Sequence, residues 1–325
     1  MSEIRIVMYH YVRDLVNGRY KNIKGLDTEL FREQLLFFKN NFNIIRMEDL
    51  ISAAESKSEL PEKALLLTFD DGYADHFNTV FPVLSNMNIQ GSFFIPAQTF
   101  CENTLLDVNK IHFILASGNI DDIYDETIKL IEDLKNKGTD LPPTDDLIKE
   151  YAIPNRFDNA KTIFVKRMLQ TVLPEDIRIS ISSLLFKKYV GFPEDVFARE
   201  LYMTKDQILC MKNNGMFIGF HGYNHYWLGR LSKDKQKSEI LKALAAMGPF
   251  VDENNLVMNY PYGSYNDDTK NILQELNFKL GLTTKVDICN TTRDNRFELP
   301  RLDTNDFPPK SENYLNFEVK NAINV

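Results

Sequence analysis

A pair of adjacent carboxylates, Asp70 and Asp71, follows directly on an apolar run in the stretch ALLLTFDDGYAD (residues 64–75). The run predicts a buried strand, and carboxylates at the end of such a strand are costly unless a cation or a hydrogen-bond network neutralises them. The pattern therefore indicates metal binding or acid–base chemistry. By itself, DDGYAD also fits a turn followed by a helix cap.

A second motif, MFIGFHGYNHYWLGRLS (residues 216–232), carries two of the five histidines of the chain, His221 and His225. On a helical turn, residues four apart lie on one side, which suits two nitrogen ligands to one metal ion. A carboxylate from elsewhere would complete a His-His-Asp site with open positions for water and substrate. An isolated HxxxH also occurs in ordinary loops, and only its combination with the aspartate pair favours a metal site.

Six short apolar, β-rich runs predict the strands that position these motifs. They are IRIVMY (4–9), ALLLTF (64–69), SFFIPA (92–97), MFIGF (216–220), LVMNY (256–260) and KLGLTT (279–284). Helical patterns lie between several of them, with Thr28 and Ser232 as the predicted caps of two helices. Strands that alternate with helices predict a parallel α/β architecture, either a barrel or an open sheet.

Polar residues at the strand ends favour the barrel. His10, the pair Asp70-Asp71 and His221 each follow directly on a predicted strand. A parallel barrel places its reactive groups at the C-terminal ends of its strands. We therefore expect these three strand ends to converge on one face of the molecule.

The alternation of strands and helices is interrupted between about residues 101 and 205, where helical patterns dominate and no clear strand is present. The predicted domains are an α/β barrel built from residues 1–100 and 206–325, and a mostly helical insertion, residues 101–205. We expect the insertion to cover the active-site face, to form an interface between copies of the chain, or both.

Composition limits the class of partner. The chain has 325 residues and a formal net charge of -8, and no basic run indicates nucleic acid or an anionic membrane. The N-terminal stretch does not read as a secretion signal, and no apolar run is long enough to span a bilayer. Cys101, Cys210 and Cys289 form neither a metal-type spacing nor a disulfide framework. These features predict a cytoplasmic protein.

The motifs TFDDG, HxxxH and NYPYGSYND occur in an order that resembles the polysaccharide deacetylase family, also called the NodB-homology or carbohydrate esterase family 4 domain. The resemblance covers about residues 4–100 and 206–307 and leaves the helical insertion outside. It implies a distorted (β/α) barrel of the NodB-homology type and metal-dependent removal of N-acetyl groups from sugars. The early stretch MYHYV is similar to members whose motif order is circularly permuted.

The resemblance, applied residue by residue, implies a role for both aspartates of TFDDG and both histidines of HxxxH. Asp71, His221 and His225 resemble the metal ligands of the family. Asp70 resembles the general base that takes a proton from the attacking water. The chain has no histidine after His225, and in the permuted members the N-terminal strand delivers the acid histidine, which here is His10. A capped histidine at a strand end is the alternative for His10.

The resemblance also implies residues that contact the substrate. Pro261 and Tyr262 are similar to the family segment that lines the sugar groove, where the backbone N–H at the tyrosine position helps to stabilise the oxyanion. Trp227 is a candidate for stacking on a sugar ring, although an aromatic residue beside a metal loop is as often packing. Asp303 follows a strand-like stretch and is a further candidate for substrate binding.

One position departs from the family pattern. Many members carry an arginine two residues before the proline of the third motif, where it pairs with the base, but this chain has Asn259 there. Another group must then orient Asp70, and Arg301 in LPRLDTND is our candidate. Arg301 is also counted among the predicted substrate-binding residues.

The resulting expectation is a hydrolase that removes an N-acetyl group from an amino sugar with one divalent metal ion. Zinc is the default for two histidines and an aspartate, but cobalt, nickel, iron or manganese also suit such ligands. The expected substrate is an acylated amino sugar in a biosynthetic intermediate, with nucleotide-linked and lipid-linked forms both open. A deformylase or other amide hydrolase, and a non-catalytic carbohydrate-binding protein on a degenerate barrel, remain as alternatives.

Overall fold

The computed structural model describes residues 2–155 and 158–323, and each of the six apolar runs forms a strand whose bounds lie within two residues of the prediction. The strands are β1 Glu3–Tyr9, β2 Val12–Arg13, β3 Leu26–Asp27, β4 Asn43–Ile44, β5 Ala64–Asp70, β6 Ser92–Ile95, β7 Phe217–Phe220, β8 Val257–Asn259, β9 Leu280–Leu282, β10 Cys289–Asn290 and β11 Leu302–Asp303. Every residue of β5 is buried, as expected for a parallel strand covered on both faces.

The helices are α1 Thr28–Asn41, α2 Met47–Ala54, α3 Phe81–Asn86, α4 Ala97–Cys101, α5 Asp107–Ser117, α6 Ile120–Asn136, α7 Thr144–Tyr151, α8 Ala160–Arg167, α9 Glu175–Tyr189, α10 Glu194–Leu201, α11 Lys205–Asn213, α12 Lys233–Met247, α13 Asp267–Glu275 and α14 Tyr314–Ile323. Among the described residues, no helix combines the length and the apolar character needed to cross a membrane.

Two predicted helix caps differ from the structure in detail. Asp27 caps α1, because its carboxylate accepts a hydrogen bond from the backbone N–H of Glu29 at 2.9 Å. The predicted cap, Thr28, is therefore wrong by one residue and is the first residue of the helix. Ser232 occupies the N-cap position of α12, but its side chain makes no capping hydrogen bond.

The parallel strands form one continuous path. Strands β1, β5, β6, β7, β8 and β9 lie side by side in that order, each parallel to its neighbours. The stretch from Leu299 to Leu302 connects the two ends of this path, because Leu299 bridges to Leu282 of β9 while Leu302 pairs with Val7 of β1. The sheet thus curls into a distorted barrel, which confirms the predicted fold class.

Side chains alternate between the two faces of the parallel strands. On the outer face, Val7 and Leu67 belong to a large apolar cluster that includes residues of the surrounding helices. On the inner face, Ile6 and Leu66 belong to a separate apolar cluster. Asp70 lies four residues after Leu66 on the same strand and therefore also faces inward, at the carboxyl end of the barrel.

The chain divides into two compact units. The first contains Met1–Asp14, Gly25–Asn103 and Arg199–Val325, and the second contains Leu15–Lys24 and Thr104–Ala198. Between positions 104 and 198, the described residues form helices and no strand. The sequence analysis places residues 15–24 in the barrel domain, whereas the structure groups them with the helical unit.

The helical unit has an apolar core of its own. Ile123 and Ile131 are fully buried on one face of α6, eight residues apart, as the helical period predicts. The rings of Phe113 and Phe186 both pack edge-on against Phe197, with centroid distances of 4.6 Å and 5.3 Å. Burial of these aromatic side chains contributes to the stability of the unit.

Candidate metal centre and active site

The chain leaves β5 through a left-handed turn that separates the two aspartates. Asp70 is the last residue of β5, whereas Asp71 and Gly72 have φ angles of 76° and 68°. A Cβ atom at position 72 would also meet Cγ2 of Ile95 at 2.7 Å, so both the conformation and the space require glycine. The turn allows adjacent carboxylates to face different partners.

His221 and His225 come together in a loop rather than on a helix. β7 ends at Phe220, and Gly222 and His225 have φ angles of 73° and 59°, which are incompatible with a right-handed helical turn. The Nε2 atoms of the two rings are nevertheless 3.2 Å apart. The predicted helical turn is wrong, and the imidazoles meet because left-handed residues fold the loop back on itself.

Glu239 of α12 holds this loop in place. One of its carboxylate oxygens accepts hydrogen bonds from the backbone N–H groups of Tyr223, at 2.9 Å, and Asn224, at 2.5 Å. The other oxygen accepts a hydrogen bond from Nδ2 of Asn224 at 2.6 Å. Burial raises the pKa of Glu239 in spite of these donors. Three hydrogen bonds to one buried carboxylate restrict the two residues that precede His225.

The imidazole of His221 is oriented to donate an Nε2 lone pair, and that of His225 is held in its neutral form. Nδ1 of His221 lies 2.7 Å from the backbone oxygen of Asn259, so the ring proton is on Nδ1 and the lone pair on Nε2. Burial lowers the pKa of His225, which keeps this ring neutral near pH 7. A neutral imidazole is the form that binds a metal ion.

Asp71 completes a cluster of three ligand atoms. Its Oδ1 atom is 3.3 Å from Nε2 of His221 and 3.2 Å from Nε2 of His225, and the three buried residues have ligand atoms within 4.8 Å of one another. Oδ1 has no hydrogen-bond partner among the described residues. A buried carboxylate oxygen without a donor is costly, and a cation would satisfy it together with both nitrogens. The residues therefore fit a divalent ion such as zinc.

Arg301 supplies Asp70 with the partner that Asn259 does not provide. Its guanidinium donates two hydrogen bonds to Asp70, from Nη1 to Oδ1 at 2.9 Å and from Nη2 to Oδ2 at 2.8 Å. Its Nε donates to the backbone oxygen of Thr283 at 2.8 Å. Burial raises the pKa of Asp70, but the charge and hydrogen bonds of Arg301 outweigh burial and lower the pKa to about 2. Asp70 is therefore ionised and fixed in orientation.

The same contacts correct the second role predicted for Arg301. Its side chain is fully buried beneath Asp70 and has no surface that a substrate could reach. Because both outer guanidinium nitrogens are engaged by the carboxylate, Arg301 positions Asp70 and does not bind substrate.

His10 lies at the same edge, one residue beyond β1. Its Nε2 is 3.8 Å from Oδ2 of Asp70, which is too long for a hydrogen bond, and its side chain is 40% exposed. Nε2 of His76 lies 2.8 Å from the backbone oxygen of His10, and burial lowers the pKa of His76 to about 4, so the neutral ring donates this bond. The backbone of His10 is thus held while its ring stays accessible.

An aromatic pair borders the metal ligands. The rings of Trp227 and Tyr262 stack with centroids 4.3 Å apart and an interplanar angle of 10°. The Tyr262 ring also packs edge-on against His225, at a centroid distance of 4.7 Å. Both aromatic residues are half-buried, so they form a partly accessible rim beside the candidate metal centre.

Pro261 and Asp303 have different surroundings. Pro261 is buried directly before Tyr262 in the chain. Asp303 ends β11, and its Oδ1 accepts hydrogen bonds from the backbone N–H and the Nδ2 of Asn305, at 2.8 Å and 2.7 Å. These bonds give Asp303 a capping function. Contact of either residue with a substrate stays a prediction.

The sequence analysis missed three residues that support the site. The hydroxyl of Tyr73 donates a hydrogen bond to Oδ2 of Asp71 at 2.5 Å. Glu239 holds the backbone of the two residues before His225, and His76 holds the backbone of His10. Of these three residues, only Tyr73 could have been found from the sequence, because it lies two residues after the predicted metal ligand Asp71. The other two act through tertiary contacts that spacing does not reveal.

The chain belongs to the polysaccharide deacetylase family, whose sequence profile matches residues 57–281. An 80-residue segment, 24% of this chain, is 32% identical to poly-beta-1,6-N-acetyl-D-glucosamine N-deacetylase of Escherichia coli. The aligned segments span only 12% to 30% of the length of the curated relatives. The family assignment confirms the resemblance recognised in the three motifs.

Solved structures show the same fold over nearly the whole chain. Deacetylase PplD of Streptococcus pyogenes, solved in complex with acetate, matches with a TM-score of 0.59 and 19% identity and covers 97% of this chain and 96% of its own. A de-N-acetylase from Aggregatibacter actinomycetemcomitans matches with a TM-score of 0.58 and 17% identity, over 96% and 99% of the two chains. At these identities the likeness establishes the fold alone.

Proposed function

We propose that this chain is a metal-dependent hydrolase that removes an N-acetyl group from an amino-sugar carbohydrate. The observation that carries this proposal is the buried cluster of Asp71, His221 and His225, with an unpartnered carboxylate oxygen and an ionised Asp70 beside it. The name of the Escherichia coli relative, an N-deacetylase of an N-acetylglucosamine polymer, supports the reaction class and the sugar.

Asp71, His221 and His225 would hold the ion. A divalent metal at this point supplies a Lewis acid that polarises an amide carbonyl and lowers the pKa of water. Zinc is our proposal for the native ion, because one carboxylate and two imidazoles form a typical ligand set of a catalytic zinc site. The ligand chemistry also admits cobalt, nickel, iron or manganese.

Asp70 and His10 would handle the protons. Asp70 directly precedes the proposed ligand Asp71 at the end of β5, and its pairing with Arg301 keeps it ionised and able to accept a proton from the attacking water. Amide cleavage expels a poor leaving group, so the departing nitrogen must be protonated. His10 is half-exposed at the same edge of the barrel and is our proposed donor of that proton.

Tyr262 and Trp227 would bind the substrate. The stacked pair lies next to His225 and is partly accessible, so an apolar sugar face can pack on it. We assign oxyanion stabilisation to the backbone N–H of Tyr262, with Pro261 shaping the groove. The helical unit as a cover or oligomer interface, and the cytoplasm as the compartment, stay predictions from the sequence.

The non-catalytic alternative loses its main support. It rests on the absence of an arginine at position 259, and Arg301, which directly precedes β11, donates two hydrogen bonds to Asp70 instead. A protein that only binds carbohydrate has no need of an ionised carboxylate held beside a ligand cluster. The deformylase alternative uses the same residues and differs only in the acyl group released.

A panel of acylated sugars tests the proposed reaction. The zinc-loaded chain is incubated with β-1,6-linked and β-1,4-linked oligomers of N-acetylglucosamine, a nucleotide-linked and a lipid-linked N-acetyl amino sugar, and their N-formyl analogues. We expect release of acetate from at least one N-acetyl sugar, and none after treatment with chelator. Formate alone would establish the deformylase alternative, and bound metal with no acid released from any substrate would favour the non-catalytic one.

A further inference from the structure

The two carboxylate oxygens of Asp71 have different surroundings. Oδ1 faces Nε2 of His221 and Nε2 of His225, at 3.3 Å and 3.2 Å. Oδ2 accepts a hydrogen bond from the hydroxyl of Tyr73 at 2.5 Å. The side chains of Asp71 and Tyr73 are both buried, so water does not compete for this bond.

We propose that Tyr73 is a positioning residue that engages Oδ2 and leaves Oδ1 as the single oxygen that Asp71 offers to a metal ion. The inference rests on the proposed function, because it concerns the same ligand cluster. It adds a residue that touches neither the ion nor the substrate and that acts through the orientation of one ligand.

The ring of Tyr73 is well held for this task. It stacks against Tyr11 at a centroid distance of 4.1 Å and lies parallel to Tyr202 at 6.3 Å. The backbones of Tyr73 and Tyr202 form an antiparallel bridge, and the backbone N–H of Met203 donates to the oxygen of Gly72 at 3.0 Å. A ring that packs against two other tyrosines and is held at its backbone keeps its hydroxyl at a defined point.

The left-handed turn brings the hydroxyl to the carboxylate. In an extended strand, side chains two residues apart stand side by side and point away from the strand, so a hydroxyl at the end of a tyrosine ring is not directed at the short aspartate. With Asp71 and Gly72 at φ angles of 76° and 68°, the chain folds back, and Tyr73 reaches Oδ2. The turn therefore positions both the ligand and the residue that orients it.

The hydrogen bond from Tyr73 restricts rotation of the Asp71 carboxylate. Without the hydroxyl, the carboxylate is free to turn about its Cβ–Cγ bond, and Oδ1 is no longer held between the two imidazoles. Loss of a hydrogen bond to a ligating carboxylate lowers metal affinity by about 10–100-fold. We expect a loss of that size when the hydroxyl of Tyr73 is removed.

The test compares zinc and cobalt binding by the full-length chain and its Tyr73→Phe variant. Both are freed of metal with a chelator and titrated in competition with a chromophoric chelator. We expect the dissociation constant for Zn²⁺ to rise by about 10–100-fold in the variant, with a changed absorption spectrum of the Co²⁺ form. An unchanged or lower dissociation constant would overturn the inference.

A matched control separates orientation from loss of a buried hydroxyl. Tyr260→Phe also removes a buried hydroxyl, one that donates to the backbone oxygen of Phe297 at 2.9 Å and not to a residue of the ligand cluster. We expect metal binding by Tyr260→Phe to equal that of the wild type. An equal weakening in both variants would show a general loss of packing and overturn the role of Tyr73.

A crystal structure of the zinc-loaded wild type tests the inference without any variant, so the result does not depend on whether Tyr73→Phe folds. The inference expects Asp71 to bind zinc through Oδ1 alone, with Oδ2 still bonded to Tyr73, and a carboxylate that binds through both oxygens would overturn it. Failure of the proposed function and failure of the role of Tyr73 give different results. A wild type that binds no metal contradicts the proposed function, whereas a wild type and Tyr73→Phe with equal affinities contradict only the role of Tyr73.

Discussion

Replacing Asp70 by asparagine is expected to lower kcat for acetate release by about 10²–10⁴-fold, because the amide cannot accept the proton that a carboxylate accepts. The metal ligands are unchanged, so the zinc content of Asp70→Asn should equal that of the wild type. kcat and zinc content are measured on the same preparation, after circular dichroism has shown that the variant is folded.

Asp75→Asn is a matched control for this variant. Asp75 lies in the same DDGYAD stretch and also pairs with an arginine, Arg13, whose Nε lies 2.7 Å from its Oδ2. Its replacement removes a carboxylate paired with arginine without touching the ligand cluster, and we expect activity close to that of the wild type. Near-normal kcat in Asp70→Asn would assign the base to another residue.

Replacing Arg301 by methionine is expected to lower the free energy of unfolding by about 3–5 kcal/mol at neutral pH, because the buried carboxylate of Asp70 loses its counter-charge. The ion pair is fully buried on the Arg301 side and makes two hydrogen bonds. Methionine is of similar length and leaves little cavity. Urea unfolding of the metal-free chains measures the change.

The loss of stability expected for Arg301→Met depends on pH, and the pKa of Asp70 determines whether it grows or shrinks as the pH falls. In the wild type, folding lowers the pKa of Asp70 from 3.8 to about 2, so its ion pair stabilises the fold above the ordinary pKa and the contribution is lost as pH falls through about 2. In Arg301→Met, the largest influence that opposes burial is removed, so we expect the pKa of Asp70 to rise. The destabilisation should therefore be largest at neutral pH and shrink as the pH falls and the carboxyl is protonated.

Two further variants make the test of Arg301 decisive. Arg293→Met removes an exposed arginine whose Nε lies 2.9 Å from Oδ1 of Asp294, and we expect it to cost no more than about 1 kcal/mol. The double variant Asp70→Asn with Arg301→Met removes both buried charges and should be more stable than Arg301→Met alone. Equal stability of Arg301→Met and the wild type would contradict the assigned pairing.

Much of the fold could be predicted because the apolar runs are short and separated by helical patterns. The six predicted strands form, since β-rich apolar segments of this length are buried in a parallel barrel whatever the details of their ends. Domain boundaries are harder to predict. The stretch Leu15–Lys24 groups with the helical unit through tertiary contacts, and its sequence carries no pattern that indicates this.

The site could be predicted in part, from motifs rather than from geometry. Spacing alone predicts a helical turn for His221 and His225, and the structure instead brings them together through the left-handed residues Gly222 and His225. Glycine marks one of these positions, but a histidine in a left-handed conformation is set by the loop and its bonds to Glu239. Such contacts join residues far apart in the chain and leave no local signal.

The most direct test of the account is a titration of the metal-free chain with zinc, followed by acetate release from the best substrate of the panel. We expect that activity is absent in the metal-free chain, rises in proportion to bound zinc and stops rising at one zinc ion per chain. We also expect that the double variant His221→Ala with His225→Ala binds no zinc at this site and stays inactive throughout. Full activity in the metal-free wild type, or zinc-dependent activity in the double variant, would contradict the metal centre formed by Asp71, His221 and His225.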